Sequence, residues 1–285
     1  MIMNNETHTK LKLHANTIRK NIIRMLEKAG SGHTAGSLGM ADIFSYLYLH
    51  ELSHKPTEPN WNERDRLVLS NGHICPVLYA AMAESGYFPI SELMTLRMFG
   101  SRLQGHPHRE YLAGIETSSG PLGQGLSQSI GMALAERIDK GSDSNKYFYC
   151  LLGDGEINEG NIWESALHAG KEKLSHIIVF LDRNNIQIDG FTDDVMPLEP
   201  LDKKWESFGF YVQTIDGHDF NAIDIAVHNA KNQHEQPSII IAKTIPGKGV
   251  PDFENIPAWH GKSPNKNEAE YALSELEKLE KELLC

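Results

Sequence analysis

Short runs of strand-forming residues, separated by stretches of helical spacing, limit this chain to few architectures. Leu67 to Leu69, residues 147–152, "HIIVFLD" (176–182), "YVQTID" (211–216) and "SIIIAKT" (238–244) read as strands. Helices are expected near 76–86, 91–98, from about Leu126, and near 160–171, 201–208 and 221–232. Apolar strands alternating with helices predict an α/β fold: a doubly wound, mostly parallel sheet with helices on both faces. Upstream, Leu13, Ile18, Ile22, Ile23 and Leu26 predict a helix over 9–29 that stops at Gly30. "GSGHTAGSLGM" then reads as a glycine-rich loop, and 41–50 as another helix. The charged, amphipathic tail, 265–284, is expected to be a helix that docks on the domain or on a partner, or stays solvated.

No internal repeat, long linker or low-complexity tract divides the chain, so residues 1–285 are expected to form a single domain. Hydrophobic residues at 40% suffice for a core. A net charge of −11 lacks the basic footprint that nucleic acid requires, and it does not suit an anionic membrane surface. The N-terminus has no signal-peptide core, and no apolar run approaches the ~20 residues that cross a bilayer. Cys75, Cys150 and Cys285 are far apart and odd in number, which predicts a reduced, cytoplasmic protein without a disulfide framework.

One stretch stands apart. In "LLGDGEINEG" (151–160) a strand ends in Gly153-Asp154-Gly155, followed by Glu156 and Glu159. The next strand ends in "LDRNNIQIDG", which places Asn184 and Asn185 one crossover later. Ligands of open parallel sheets collect at the carboxyl ends of strands. Two neighbouring tips would offer a carboxylate and an amide oxygen to one point, a hard-oxygen pair suited to Mg²⁺. An EF-hand starting at Asp154 fails, because its sixth and twelfth positions are Glu159 and Ser165. A plain tight turn remains the alternative. "GPLGQG" (120–125) opens a helix whose unpaired amides and positive end would face an anion. Four histidines adjoin glycines in loops: His33, His73, His106 and His260. Imidazoles that titrate near neutrality would shuttle protons there. No HExxH or CxxC spacing supports zinc. Cys75 reads as a buried structural thiol.

Gly-Asp-Gly followed about thirty residues later by Asn-Asn resembles the thiamine diphosphate fingerprint. "SGHTAGSLGMADI", "LSNGH", "GHPHRE", "SSGPLGQGLSQSIGMA", "GDGEINEGNIWESA", "DRNNIQIDG" and "WHGKSP" together resemble transketolase, along nearly the whole chain. The resemblance implies the thiamine diphosphate-binding fold, with thiamine diphosphate and Mg²⁺ as cofactors. It covers the diphosphate-binding third of a transketolase, so it implies the N-terminal subunit of a split enzyme. A C-terminal subunit would supply the aminopyrimidine-binding domain and catalytic glutamate, in an α2β2 assembly.

By the same resemblance, Mg²⁺ is held by Asp154, Asn184 and the backbone carbonyl of Ile186. The cofactor is met by His73, Gly120, Leu122, Gly153, Asp154, Gly155, Glu159, Asn184, Ile188 and His260, with Glu159 also near the partner interface. His33 and His106 face the sugar as catalytic groups. Arg183 departs from the family, where a second acid often precedes the asparagine, and it is expected to reach the surface or a partner. The implied reaction moves a two-carbon ketol unit from a ketose to an aldose; pentose phosphates, branched sugars and sulfo-sugars remain open as substrates. The alternatives are a subunit of a deoxyxylulose-phosphate synthase or 2-oxo acid dehydrogenase, or a non-catalytic domain that binds the cofactor.

Overall fold

The computed structural model describes residues 3–141 and 144–284. Its strands are β1 (Arg66–Leu69), β2 (Phe148–Gly153) and β3 (Ile177–Arg183), then a short pair β4 (Ile186–Gln187) and β5 (Gly190–Phe191), then β6 (Tyr211–Asp216) and β7 (Ser238–Lys243). Five of them form one sheet in the order β1-β2-β3-β7-β6, and every neighbouring pair is parallel. The pair β4–β5 is a separate antiparallel ribbon.

The helices are α1 (Asn5–Ala29), α2 (Ala35–Gly39), α3 (Ala41–Tyr46), α4 (Cys75–Glu84), α5 (Gln124–Lys140), α6 (Gly160–Lys171), α7 (Thr192–Val195), α8 (Leu201–Ser207), α9 (Phe220–Lys231) and α10 (Lys266–Leu284). They cover both faces of the sheet. Because side chains alternate along a strand, Tyr149, Leu151, Ile178, Phe180, Ile240 and Ala242 join the core under α1, α3, α4 and α9. Their neighbours Phe148, Cys150, Leu152, Ile177, Val179, Leu181, Ile239 and Ile241 join a second core under α5, α6 and α8. β2 and β3 are buried along their whole length, which is why they read as continuous apolar runs. The expected doubly wound parallel sheet is present.

Local chemistry sets the helix ends. Asn4 caps α1 by accepting from the Thr7 amide at 2.8 Å, and Gly30 ends it in the left-handed conformation. Asp219 caps α9 through the Asn221 amide at 2.9 Å. The tail helix docks on the domain: α10 buries Ala269, Ala272 and Leu276, and the Asn16 side-chain amide of α1 donates to the Leu276 carbonyl at 2.9 Å.

Three sequence expectations differ. The "GSGHTAGSLGM" loop contains α2, whose Ala35 and Leu38 are buried, so tertiary packing overrides its glycines. The helix expected over 41–50 changes at Leu47 into a π-turn ending at Glu51. Residues 91–98 give only a 3₁₀ stretch, Ile90–Thr95, of which Leu93 alone is buried. One apolar contact does not hold a full helix there.

α6 passes the turn after α8 so closely that a Cβ on Gly170 would lie 1.8 Å from the Phe208 carbonyl oxygen. Gly170→Ala should therefore destabilise the fold by about 1–3 kcal/mol, although alanine is the better helix former. Urea unfolding measures this, and an unchanged or raised midpoint would contradict the packing.

Candidate active site

The carboxyl ends of β1, β2 and β3 open on one cavity of about 260 Å³. It brings together His33, His73, His106, Gly120, Leu122, Gly153, Asp154, Gly155, Asn184, Ile186, Ile188 and His260, residues from segments remote in sequence. Of the residues singled out from sequence, Glu159 is not in the wall. It is exposed, at the start of α6, beside the Gly123 turn.

Asp154 follows Gly153 at the tip of β2 and is 1% exposed. Its carboxylate accepts from the Gly155 amide at 2.8 Å, the Asn185 amide at 2.7 Å and Arg183 Nη1 at 3.2 Å. Burial nevertheless pushes its pKa up to about 6, against the pull of those donors. Gly155 is required by its surroundings, since a Cβ would lie 2.8 Å from Gln187 Cγ. Just past β3, the Asn184 side-chain nitrogen donates to Asp182 Oδ2 at 2.8 Å, while Asn184 Oδ1 accepts the Ile186 amide at 2.9 Å. Asp182 thereby fixes which way the amide points. It also accepts from Thr244 Oγ1, and burial raises it to about 7, with the Asp154 charge adding to the effect. Ile188 is a β-branched residue at φ 54°, a left-handed conformation it rarely takes, and is 63% exposed at the cavity wall.

Arg183 corrects the sequence reading. It is buried, at 6% exposure, rather than reaching the surface. Besides Asp154 it donates to Thr192 Oγ1 at 2.8 Å and to Glu199 Oε1 at 3.2 Å. It thus ties the segment after β5 to the strand tip.

Three imidazoles meet at the opposite wall. Ring centroids lie 4.8 Å apart for His33 and His73, 5.4 Å for His33 and His260, and 5.3 Å for His73 and His260. Burial, then the charge of neighbouring His260, Arg97 and His106, lowers His33 to about 4. Burial, then His33, His260 and His106, lowers His73 to about 3. Burial and Arg97 also lower His106, and burial lowers His260 against Asp189. The expectation that these rings titrate near neutrality therefore fails for His33 and His73, which stay neutral. Cys75 does not pair with His73. Its thiol donates to the Gly105 carbonyl at 3.2 Å, and burial raises it to about 12.

"GPLGQG" also behaves differently from its simplest reading. The amides of Gly123 and Gly125, at the start of α5, are taken by Glu156 and Ser70 and do not point freely at the cavity. Glu156, Asp182, Asn71 and Gln187 line the cavity without having been assigned a role from sequence. For Asp182 the signal was a carboxylate ending a fully apolar run; Glu156, in a loop, carried none.

The donor set fits a hard cation and a polar ligand. Asp154 and Asn184 are oxygen donors on adjacent strand tips, and the buried carboxylate is only partly offset by Arg183. Asn71 Oδ1 and His33 Nδ1 are buried at the cavity without a hydrogen-bond partner. Among the described residues, no three His, Cys, Asp or Glu side chains form a metal-ligating group, so a cation would rest on mixed carboxylate, amide and carbonyl oxygens.

Fold and site define an α/β protein that binds its ligand at the carboxyl edge of a parallel sheet, with a Gly-Asp-Gly tip at its centre. The chain belongs to the transketolase N-terminal family: residues 10–277 match "Transketolase, thiamine diphosphate binding domain". It is 44% identical over 273 residues to a 6-deoxy-6-sulfo-D-fructose transketolase subunit from Clostridium sp. (strain MSTE9), covering 96% of this chain and 98% of that relative. An apulose-4-phosphate transketolase subunit from Actinobacillus succinogenes is 37% identical, with 95% and 98% covered. The Campylobacter jejuni transketolase structure superposes with a TM-score of 0.89 at 36% identity; the match covers 96% of this chain and 43% of that one. No helix among the described residues is long and apolar enough to cross a membrane.

The depressed imidazoles link stability to pH. Unfolded histidine takes up a proton near 6.5, whereas folded His73 resists until about 3. Stability associated with neutral His73 is complete above 6.5 and falls as pH drops toward 3. With divalent metal chelated, His73→Asn should gain on the wild type by about 1 kcal/mol per pH unit between 6 and 4. Urea midpoints across that range test this, and a pH-independent difference would refute it.

Proposed function

We propose that this chain is the diphosphate-binding subunit of a split transketolase, moving a two-carbon ketol unit from a ketose or its phosphate to an aldose acceptor. The reading is carried by one observation: the Gly153–Asp154–Gly155 tip, the Asn184–Ile186 turn and four loop histidines share a cavity. It is supported by relatives named as transketolase subunits, whose length the match covers almost fully.

Asp154 and Asn184, with the Ile186 carbonyl, would hold Mg²⁺. Gly120, Leu122, Gly153, Gly155, Ile188, His73 and His260 would surround thiamine diphosphate. When bound, that cofactor supplies the carbon nucleophile and the electron sink for cleaving a carbon–carbon bond beside a carbonyl.

The chain's own residues supply position and hydrogen bonds. His33 and His106 would face the sugar. A neutral imidazole donates through one nitrogen and accepts through the other, so His33 can take a hydroxyl proton on one side and stabilise a developing oxyanion on the other. Its unpartnered Nδ1 suits such a contact. Low imidazole pKa values keep these rings from becoming fixed cations beside the reacting carbon. The Ile186–Ile188 wall sheds water from the metal side.

The relatives named as transketolase subunits, matched over 98% of their length, support a partner: a C-terminal transketolase subunit that would supply the aminopyrimidine pocket and the catalytic glutamate, in an α2β2 assembly. Exposed Glu159, beside the Gly123 turn, would lie near that interface. The assembly would work in the cytoplasm. Sulfo-sugars and branched-sugar phosphates, the substrates in the relatives' names, join pentose phosphates as candidate donors.

Asp154→Asn removes the one charged ligand proposed for Mg²⁺ while keeping its shape. Mg²⁺-dependent thiamine diphosphate binding should fall by about 10²-fold or more with the circular dichroism spectrum unchanged. Calorimetry on the assembled enzyme measures this, and unaltered affinity would remove Asp154 from the metal site.

Function itself is tested by reconstitution. The 285-residue chain alone should not turn over ketose. Adding the C-terminal subunit, thiamine diphosphate and Mg²⁺ should restore two-carbon transfer, and a panel of ketose donors in that assay would identify the substrate. Robust transfer by the chain alone would refute the split-subunit reading.

A further inference from the structure

A helix N-terminus next to a phosphate site ordinarily points its free amides at the ligand. Here the Gly123 and Gly125 amides at the start of α5 are engaged by the chain itself. Glu156 is 2% exposed. Its Oε1 accepts the Gly123 amide at 2.8 Å, and its Oε2 accepts the Gly153 amide at 2.9 Å. The Ser70 hydroxyl also donates to Oε1, and the same hydroxyl oxygen accepts the Gly125 amide at 3.0 Å. One carboxylate therefore joins the end of β1, the end of β2 and the start of α5, the segments that frame one side of the cavity.

We propose that Glu156 is a positioning residue for the cofactor: an internal carboxylate that holds the start of α5 through the Gly123 amide and sets the spacing between the Gly120–Gly125 turn and the Gly153–Gly155 tip. The proposal rests on the cofactor reading above and adds a residue to it. Three donors converge on the two oxygens, so a carboxylate satisfies them all. A glutamine cannot, because either orientation of its amide sets an NH₂ against the Gly123 or the Gly153 N–H. Alanine would leave all three donors buried without an acceptor. Glu156 also lines the cavity, so any displacement of the Gly120–Gly125 turn or the Gly153–Gly155 tip would change the wall that a diphosphate meets.

The test uses the full chain and Glu156→Gln. In ligand-free protein, amide hydrogen exchange at Gly123 and Gly153 should accelerate by about tenfold or more, consistent with loss of a buried hydrogen bond, while the strands of the sheet keep their protection. Calorimetry on the enzyme assembled with its C-terminal subunit, with inorganic pyrophosphate and with thiamine diphosphate, each in Mg²⁺, should give affinities lower by about tenfold or more. Ser70→Ala keeps the carboxylate and should show the same two effects to a smaller degree, centred on Gly125; it carries the test if the glutamine variant fails to fold. Unchanged exchange at Gly123 and Gly153 would overturn the clasp. Faster exchange with unchanged affinity would reduce Glu156 to a structural role and overturn the positioning claim. Slow exchange in a wild-type protein that binds neither ligand in Mg²⁺ would instead overturn the cofactor reading, and with it the ligand half of this proposal.

Discussion

The parallel register of β2 against β3 sets Gly153 opposite Asp182, and the rest of the site depends on it. β3 runs one residue past β2, so Asp154 and Asn184 emerge from neighbouring strand tips of a sheet buried on both faces. A slip of one residue would turn each of these side chains to the other face. The register is in turn locked by the two cores, since alternate residues of each strand face α1, α3 and α4 on one side and α5 and α6 on the other. Rigid strands thus carry groups whose chemistry would be unsafe on a mobile loop. That constraint also explains why both strand bodies are wholly apolar and why polarity begins abruptly at their tips.

Much of this was legible because identity and spacing carry it. The apolar runs located β2, β3, β6 and β7 to within a residue or so, and Gly30 marked the end of α1 through capping chemistry. The glycines and histidines of the cavity stood out for the same reason. What escaped detection depends on the return path of the chain. Arg183 looks like a solvated side chain until Thr192 and Glu199 come back over it, and the ribbon that brings them back has two-residue strands with no periodic signal. Glu156 reads as one more loop acid until the Gly123 and Gly153 amides close on it. The helix α2 has poor intrinsic propensity and forms because its face is buried. Proton affinities are equally non-local: no sequence window reveals that three imidazoles will share one apolar wall.

The charges around the cavity form an imbalance that the fold sustains only through hydrogen bonds. Asp154, Glu156 and Asp182 are each 1–2% exposed. Among their described partners Arg183 is the guanidinium, bonded to Asp154; Glu156 and Asp182 are held by neutral donors, Ser70, Thr244, Asn184 and backbone amides. Neutral donors stabilise a carboxylate without cancelling its field. Burial raises the proton affinity of all three carboxylates, Asp154 to about 6 and Asp182 to about 7, while burial and mutual proximity keep His33 and His73 neutral.

That asymmetry decides what such a cavity can accept. An anion alone meets buried carboxyl groups and gains no compensating imidazolium from His33 or His73. A divalent cation meets two oxygen donors already oriented, one by Arg183 and two backbone amides, the other by Asp182. A metal-bound anion satisfies both sides: the cation cancels the field at the strand tips, and the uncharged histidine wall accommodates an apolar or weakly polar ring without paying for its own desolvation. In the proposed reading, a cation held by Asp154 and Asn184 would offset the carboxylates that repel a diphosphate, which gives a physical reason for metal and diphosphate to enter together. On the proposed assignment, His33 and His106 would then remain for the sugar, with His73 and His260 beside the cofactor.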